Sequence, residues 1–165
     1  MHSKEDRIAH IRQLLNQVQD PEIPVLTIED LGIIKEVSLI DDKMVVFITP
    51  TYTGCPAMDM ISVQIKATLA DNGFPDCEVR LILHPVWSTD MITEKGRLKM
   101  KQYGIAPPAQ KTFDQAFRDG KAPVVACPLC GSEDTEIISH FGSTPCKALY
   151  KCASCLEPFD YFKCH

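Results

Sequence analysis

Cys127-Pro128-Leu129-Cys130 and Cys152-Ala153-Ser154-Cys155 carry the most definite chemistry in the chain. Two residues between cysteines let both thiolates of a tight turn face one metal ion. Two such turns, face to face, supply four sulfurs in a tetrahedron. The 21 residues between the pairs slightly exceed the usual gap, and they are enough for a hairpin running out along 135–140 and back along 148–151. A segment of about 40 residues buries too little apolar surface to fold alone. Structural zinc contributes roughly 10–16 kcal/mol, so metal binding is expected to fold 124–165. One zinc ion is the expected occupant. An iron–sulfur cluster is the alternative, because four thiolates also hold one. A thiol-redox pair at Cys127 and Cys130 is a weaker reading, since four facing thiolates prefer a metal. Cys146 and Cys164 are left over. They are either small buried hydrophobes or additional thiols near the first site. His165 sits at the terminus beside Cys164 and is expected to fray.

A second candidate lies in the first half. Asp20-Pro21-Glu22-Ile23-Pro24 is a stiff acidic turn, with Glu29 and Asp30 close behind. Thr53-Gly54-Cys55-Pro56 is a loop in which Gly54 lets the backbone approach a ligand. Cys55 immediately precedes a helix start, where the partial positive charge favours thiolate. Two readings stay open. The carboxylates are caps and solvated charge while Cys55 is a packed side chain, or turn and loop meet and form a transient iron site. A nucleophilic enzyme built on Cys55 is weaker. The histidines lie at 2, 10, 84, 140 and 165, and only His84, at a strand end, is a reasonable base. No P-loop or dinucleotide fingerprint is present, and no catalytic residue is assigned. Trp87, three residues before Asp90, is a buried side chain near a cap or lines the Cys55 pocket. Cys77 receives no role.

The elements that must position these groups follow from periodicity. Ile8, Ile11, Leu14, Leu15 and Val18 recur at helix spacing over 4–19, with Ser3 as cap. Pro21 and Pro24 stop that helix. Residues 33–39 and 44–49 read as strands joined at Asp41-Asp42-Lys43. Pro56 starts a second helix with a stripe of Met58, Ile61, Ile65 and Leu69, closed by Asn72-Gly73. Residues 77–84 read as a third strand and 90–103 as a last helix before Gly104. The expected fold class is α+β: a small two-layer α/β sandwich over 1–108, a linker over 109–123, and a zinc-ribbon-like domain over 124–165. Ile8, Leu15, Val46, Ile48, Ile61, Ile65, Leu69, Leu81 and Leu83 are the expected first core.

Composition bounds the partners. The 165 residues are 45% hydrophobic and carry a formal net charge of −5. Wrapping nucleic acid requires a concentrated Lys/Arg surface, and peripheral membrane binding by basic residues requires the same, so neither partner is expected. No apolar run approaches the ~20 residues that span a bilayer. The first residues lack the pattern of a secretory signal. Of the eight cysteines, six crowd into the last 39 residues, which is metal spacing more than disulfide spacing. A cytoplasmic protein is expected.

Several longer segments carry a resemblance. DPEIPVLTIEDLG (20–32), TPTYTGCPAM (49–58), ITEKGRLKMKQYGIAPP (92–108), FGSTPCKALYKC (141–152) and EPFDYFKCH (157–165) together resemble the PaaD family. These are the D components of the bacterial phenylacetyl-CoA epoxidase, a ring-epoxidising monooxygenase system of phenylacetate catabolism. Residues 1–108 are also similar to the SufT-like iron–sulfur assembly domain family, marked by the Asp-Pro-Glu turn and the Gly-Cys-Pro loop. The resemblance implies an accessory or maturation component assisting iron or iron–sulfur assembly in an oxygenase or reductase component. The rival reading is a non-catalytic structural subunit of the oxygenase. The implied partners are components of the epoxidase system, with a homo-oligomer left open. By family analogy, Asp20, Glu22, Asp30, Thr53 and Cys55 match the assembly-domain positions, with transient iron at Cys55.

Overall fold

The computed structural model describes residues 3–108, 119–120 and 123–163. The chain divides into two compact units, 1–87 and 88–165. Both combine helix and sheet, which is the α+β class expected.

The first unit begins with helix α1, Lys4–Leu15. Its start is fixed by a reciprocal cap in which the Asp6 N–H donates to Ser3 Oγ at 3.1 Å and the Ser3 N–H to Asp6 Oδ2 at 3.0 Å. The helix ends four residues short of the expected 19. Gln19 leaves it to bridge Thr27, and Pro21 keeps Asp20 out of helical geometry. Strands β1 (Ile34–Ile40) and β2 (Lys43–Ile48) form an antiparallel hairpin. Asp41 and Asp42, both at positive φ (48° and 63°), make the tight turn whose twist matches the strands. Helix α2, Ala57–Asp71, then crosses back to strand β3, Glu78–Leu81, which pairs parallel to β2. The sheet order is β1-β2-β3, with α1 packed on β1 and α2, and α2 on β3.

Leu15, Val46, Ile48, Ile61, Ile65 and Leu69 are all fully buried, as the stripes require. Ile8 is half-buried. Leu81 and Leu83 are corrections: they are 53% and 55% exposed. β3 is an edge strand with one neighbour, and alternation alone does not cover an edge. The connection between α1 and β1 supplies core that the periods did not reveal. Ile23, Leu26, Ile28, Leu31 and Ile33 are each at most 1% exposed.

The second unit starts with a 3-10 turn, Thr89–Met91, and helix α3, Glu94–Gln102. Thr93 caps α3, its Oγ1 accepting the Gly96 N–H at 2.9 Å. A four-stranded sheet follows in the order β4-β7-β6-β5. Its members are β4 (Ile105–Ala106), β5 (Thr135–Ser139), β6 (Lys147–Cys152) and β7 (Pro158–Phe162). Ile105 and Ala106 pair with Asp160 and Tyr161 of β7, so α3 and β4 fall within the second compact unit. Most of the expected linker, 109–118 and 121–122, lies outside the described residues, as do Cys164 and His165. Val125, Ala148, Tyr150, Phe159 and Tyr161 form the small core of this unit together with Cys127 and Cys152.

The burial pattern sets an expectation for stability. Ile65→Ala should cost about 2–5 kcal/mol, the range of a large core truncation. Leu83→Ser should stay within about 0.5 kcal/mol. Urea unfolding followed by circular dichroism checks both. A large loss for Leu83→Ser would show that the β3 edge is covered in solution.

Candidate metal centre and cysteine loop

The two C-x-x-C turns are built alike. In the first, the Gly131 N–H donates to Cys127 O at 2.9 Å and the Cys127 N–H to Ser132 O at 2.8 Å. In the second, Cys152 is the last residue of β6, its N–H bonded to Glu157 O at 3.0 Å. The residue after each second cysteine takes a left-handed conformation: Gly131 at φ 79° and Leu156 at φ 66°. Ser132 and Ser154 tie the turns together, their hydroxyls 2.8 Å apart. β5 and β6 hold the register, with Thr135 opposite Cys152.

This arrangement brings the Sγ atoms of Cys127, Cys130, Cys152 and Cys155 within 4.8 Å of one another. Cys127–Cys155 is 3.8 Å and Cys130–Cys152 is 3.5 Å. A tetrahedral ion with metal–sulfur bonds of about 2.3 Å has sulfur–sulfur edges of about 3.8 Å, so these four residues fit one ion. Cys127 and Cys152 are buried, Cys155 is half-buried and Cys130 is exposed. The backbone N–H of Cys155 points at Cys152 Sγ from 3.5 Å. That donor, with the Ser154 N–H and neighbouring thiols, holds Cys152 down to about 6. Among the described residues this is the only group of three or more His, Cys, Asp or Glu side chains close enough to share an ion.

Cys146 is outside that group. It is 4% exposed, with its Sγ 3.1 Å from Thr144 Oγ1. Lys163 lies opposite it across the strands, its N–H bonded to Cys146 O at 2.9 Å. Cys77 is half-buried, and burial pushes its thiol up to about 11.

In the first unit the carboxylates of the acidic turn act on the Gly-Cys-Pro loop through their charge on Cys55, without coming close enough to share an ion with it. Asp20 is 6% exposed, and its Oδ1 accepts the N–H groups of Glu22 at 2.9 Å and Ile23 at 2.8 Å. Cys55 closes a turn of its own, its N–H reaching Tyr52 O at 3.3 Å. Gly54 at φ 78° makes that turn in a conformation other residues rarely adopt. Pro56 then leads into α2. Cys55 is half-buried, and burial is the largest influence on its thiol. The Ala57 N–H and the Tyr52 side chain favour thiolate. The carboxylates of Glu22 and Asp20 oppose it, and the thiol ends above its ordinary value. The helix start favours thiolate, as its position implies, but desolvation outweighs it.

The remaining family positions sit differently. Asp30, 4% exposed, forms a reciprocal cap with Thr27. The Thr27 N–H donates to Asp30 Oδ2 and the Asp30 N–H to Thr27 Oγ1, both at 3.1 Å. Thr53 is exposed. Trp87 is buried, its Nε1–H donating to Leu31 O at 2.7 Å. Tyr52, whose hydroxyl is buried beside Cys55, does not stand out in the sequence. The only signal is an aromatic residue three positions before the cysteine.

Comparison with known proteins agrees with both halves. Residues 8–80 match the family described as iron-sulfur cluster assembly protein, and residues 111–163 the family described as PaaD zinc beta ribbon domain. The chain is 47% identical to the D component of the putative 1,2-phenylacetyl-CoA epoxidase of Escherichia coli (strain K12). That match covers 96% of this chain and 93% of that protein. The chain belongs to the PaaD family. A Fe-S protein maturation auxiliary factor of Porphyromonas gingivalis is 35% identical to this PaaD family member over 54% of the chain and 87% of its own length. A crystal structure of a domain of unknown function, DUF59, from Bacillus anthracis superposes with a TM-score of 0.55 at 25% identity. It covers 59% of this chain and 93% of that one. Among the described residues, no helix is long and apolar enough to cross a membrane.

The electrostatics of Cys55 yield a direct test. Because burial raises the thiol, carbamidomethylation of Cys55 should be slow at neutral pH and accelerate only above the ordinary thiol range. Glu22→Gln removes one opposing negative charge and should move the midpoint down. Peptide mapping by mass spectrometry resolves Cys55 from the other cysteines. An unchanged midpoint in Glu22→Gln would show that the turn and the loop do not interact electrostatically.

Proposed function

We propose that this protein is an accessory component of the phenylacetyl-CoA epoxidase system, assisting iron or iron–sulfur assembly in an oxygenase or reductase component. The observation that carries this reading is the pairing, in one chain, of an iron–sulfur assembly domain with the PaaD zinc ribbon. The relation to an epoxidase component over nearly the whole chain supplies the system, and the maturation auxiliary factors supply the class of activity. Cys55 is the cargo ligand, flanked by Tyr52, Glu22 and Asp20. Asp20 and Asp30 serve the site by fixing the turns, since their carboxylates are engaged by backbone N–H groups. Thr53, exposed at the loop, faces the approach of a client.

The four-cysteine group holds one zinc ion in this reading, through Cys127, Cys130, Cys152 and Cys155. The sulfur separations favour a single ion. A polynuclear cluster places its thiolates on separate irons, further apart than these. The same closeness weighs against a thiol-redox role for Cys127 and Cys130. Zinc supplies no redox chemistry here and serves to fold the ribbon.

One observation favours the rival reading of a structural subunit. Among the described residues Cys55 belongs to no group of three or more potential metal ligands, and burial raises its thiol above the ordinary value. A single experiment separates the two. Cys55→Ala should keep the fold, at a cost on the order of 1–2 kcal/mol, and abolish growth on phenylacetate in a host lacking the native protein. The iron content of the purified oxygenase and reductase should fall. Normal growth with fully loaded partners would leave the structural-subunit reading.

The metal assignment has its own test. Cys127→Ser or Cys155→Ser should lose the single equivalent of zinc and unfold the β5–β7 sheet while the first unit stays folded. Elemental analysis and circular dichroism measure the two effects. A brown protein containing iron would replace zinc by a cluster.

A further inference from the structure

We infer that the outward face of α2 pairs with the same face of a second copy of this chain, the two helices running antiparallel about a twofold axis beside Val63. At about 100° per residue, the buried positions Ala57, Met58, Ile61, Ile65 and Leu69 define one side of α2, and Val63 stands opposite their centre. Within about 60° of Val63 the helix carries Asp59, Met60, Lys66, Ala67 and Ala70 and no other residue, and all of them are exposed. Asp71, at about 80°, is the last residue of the helix and lies outside that arc. Val63 is 64% exposed and Met60 53% exposed. The face turned away from the core is therefore apolar along its middle, with charge only at its margin. That is the make-up of an interface core and its rim.

The charges name the occupant. Asp59 and Lys66 are the charged residues of the arc, and both lie on the same flank, about 40° and 60° from Val63. A twofold axis between antiparallel helices sets like flanks against each other and reverses the order along them. In the register that puts Asp59 level with the partner's Lys66, Lys66 is level with the partner's Asp59. That register also leaves Val63 only about 1.5 Å along the axis from the partner's Val63. On the other flank Met60 falls about 3 Å along the axis from the partner's Ala67, so a long side chain meets a short one. Charge and size thus agree in one self-complementary arrangement. Parallel helices would instead set the charged flank against the Met60 flank. A partner surface of one sign would satisfy one of the two charges and repel the other. Within the chain, neither Asp59 nor Lys66 forms an ion pair among the described residues. Glu78, which feels the charge of Lys66, is held by Arg80 at 2.8 Å. The pairing leaves the two Cys55 loops at opposite ends of the helices, about 22 Å apart along the axis, so each copy keeps its own site.

The test is sedimentation equilibrium of the full-length, metal-loaded protein under reductant, over a range of concentrations. Wild type should dimerise. Asp59→Lys and Lys66→Asp should each weaken the dimer about tenfold, because each sets like charges opposite one another twice. The double exchange, Asp59→Lys with Lys66→Asp, should return the affinity to within about threefold of wild type. An equal mixture of the two single variants should form a mixed dimer, since their charges complement one another. Val63→Asp should abolish pairing. Circular dichroism and metal content should match wild type in every variant, because all three positions are exposed. A wild type that stays monomeric at every concentration would overturn the inference. So would a dimer that keeps its affinity in the single variants, or one that the double exchange fails to restore, since the contact would then lie elsewhere. A monomer that binds a purified epoxidase component through these same residues would assign the face to the client and overturn the pairing.

Discussion

The C-terminal half of the molecule depends on four sulfurs being held within 4.8 Å of one another. Deprotonated thiols at that spacing repel strongly in a partly buried setting. A shared cation reverses the sign and deprotonates the thiols outright. Everything around them serves the spacing. The left-handed residue after each second cysteine turns the chain back toward its partner. At Gly131 this is free, but at Leu156 it costs about 1–2 kcal/mol that sulfur closure must override. β6 ends at Cys152, so the sheet delivers one pair of sulfurs directly. The remaining stabilisation is modest: Tyr150 stacks on Phe159 at 5.8 Å and meets Tyr161 edge-on at 5.7 Å. Those rings and a few aliphatic side chains are too little for a domain of this size. On the proposed one-ion reading, the metal and the aromatic group would form one cooperative unit, with neither holding the sheet alone.

The first unit solves a different problem. It holds an acidic turn in place so that its carboxylates act on Cys55 from fixed positions. Asp20 is fixed because its carboxylate satisfies the N–H groups of Glu22 and Ile23, donors that would otherwise be stranded beside prolines. Asp30 does the same one turn later with Thr27. Of the two roles left open by the residues, the structure displays the capping one at Asp20, and its charge also acts on Cys55. The cap holds the charge where it acts on Cys55. Asp30 is a cap, held by the reciprocal bonds with Thr27.

Much of this is legible in the residues. The stripes of α2 and the four-cysteine pattern survive intact, because a helix period and a C-x-x-C turn are local and need no knowledge of the rest of the chain. What the residues conceal is non-local. Leu81 and Leu83 alternate properly, yet β3 has a neighbour on one side only, and periodicity says nothing about sheet order. Ile105 and Ala106 read as the tail of the first domain, since two residues carry no strand period. Only pairing with β7 moves them to the second unit. Tyr52 is invisible for a third reason: its importance lies in a hydroxyl that approaches Cys55 only once Gly54 has reversed the chain.

The contrast between the two sulfur sites bears on function. An ion held by the four ribbon cysteines would have every tetrahedral position filled, with no open position and no easy exit. Cys55 is the opposite, a single sulfur held protonated by burial, with carboxylates near but not convergent. Such a group binds a metal weakly by itself. Weak, incomplete ligation is a fault in a storage site and an advantage in a transfer site, because the missing ligands can come from the donor or the client. Proton release from Cys55 would accompany loading, and reprotonation by the surrounding field would assist release. On the proposed reading, the same burial that makes Cys55 a poor resting thiolate makes it a suitable carrier, while the closed site supplies the rigidity from which a partner is recognised.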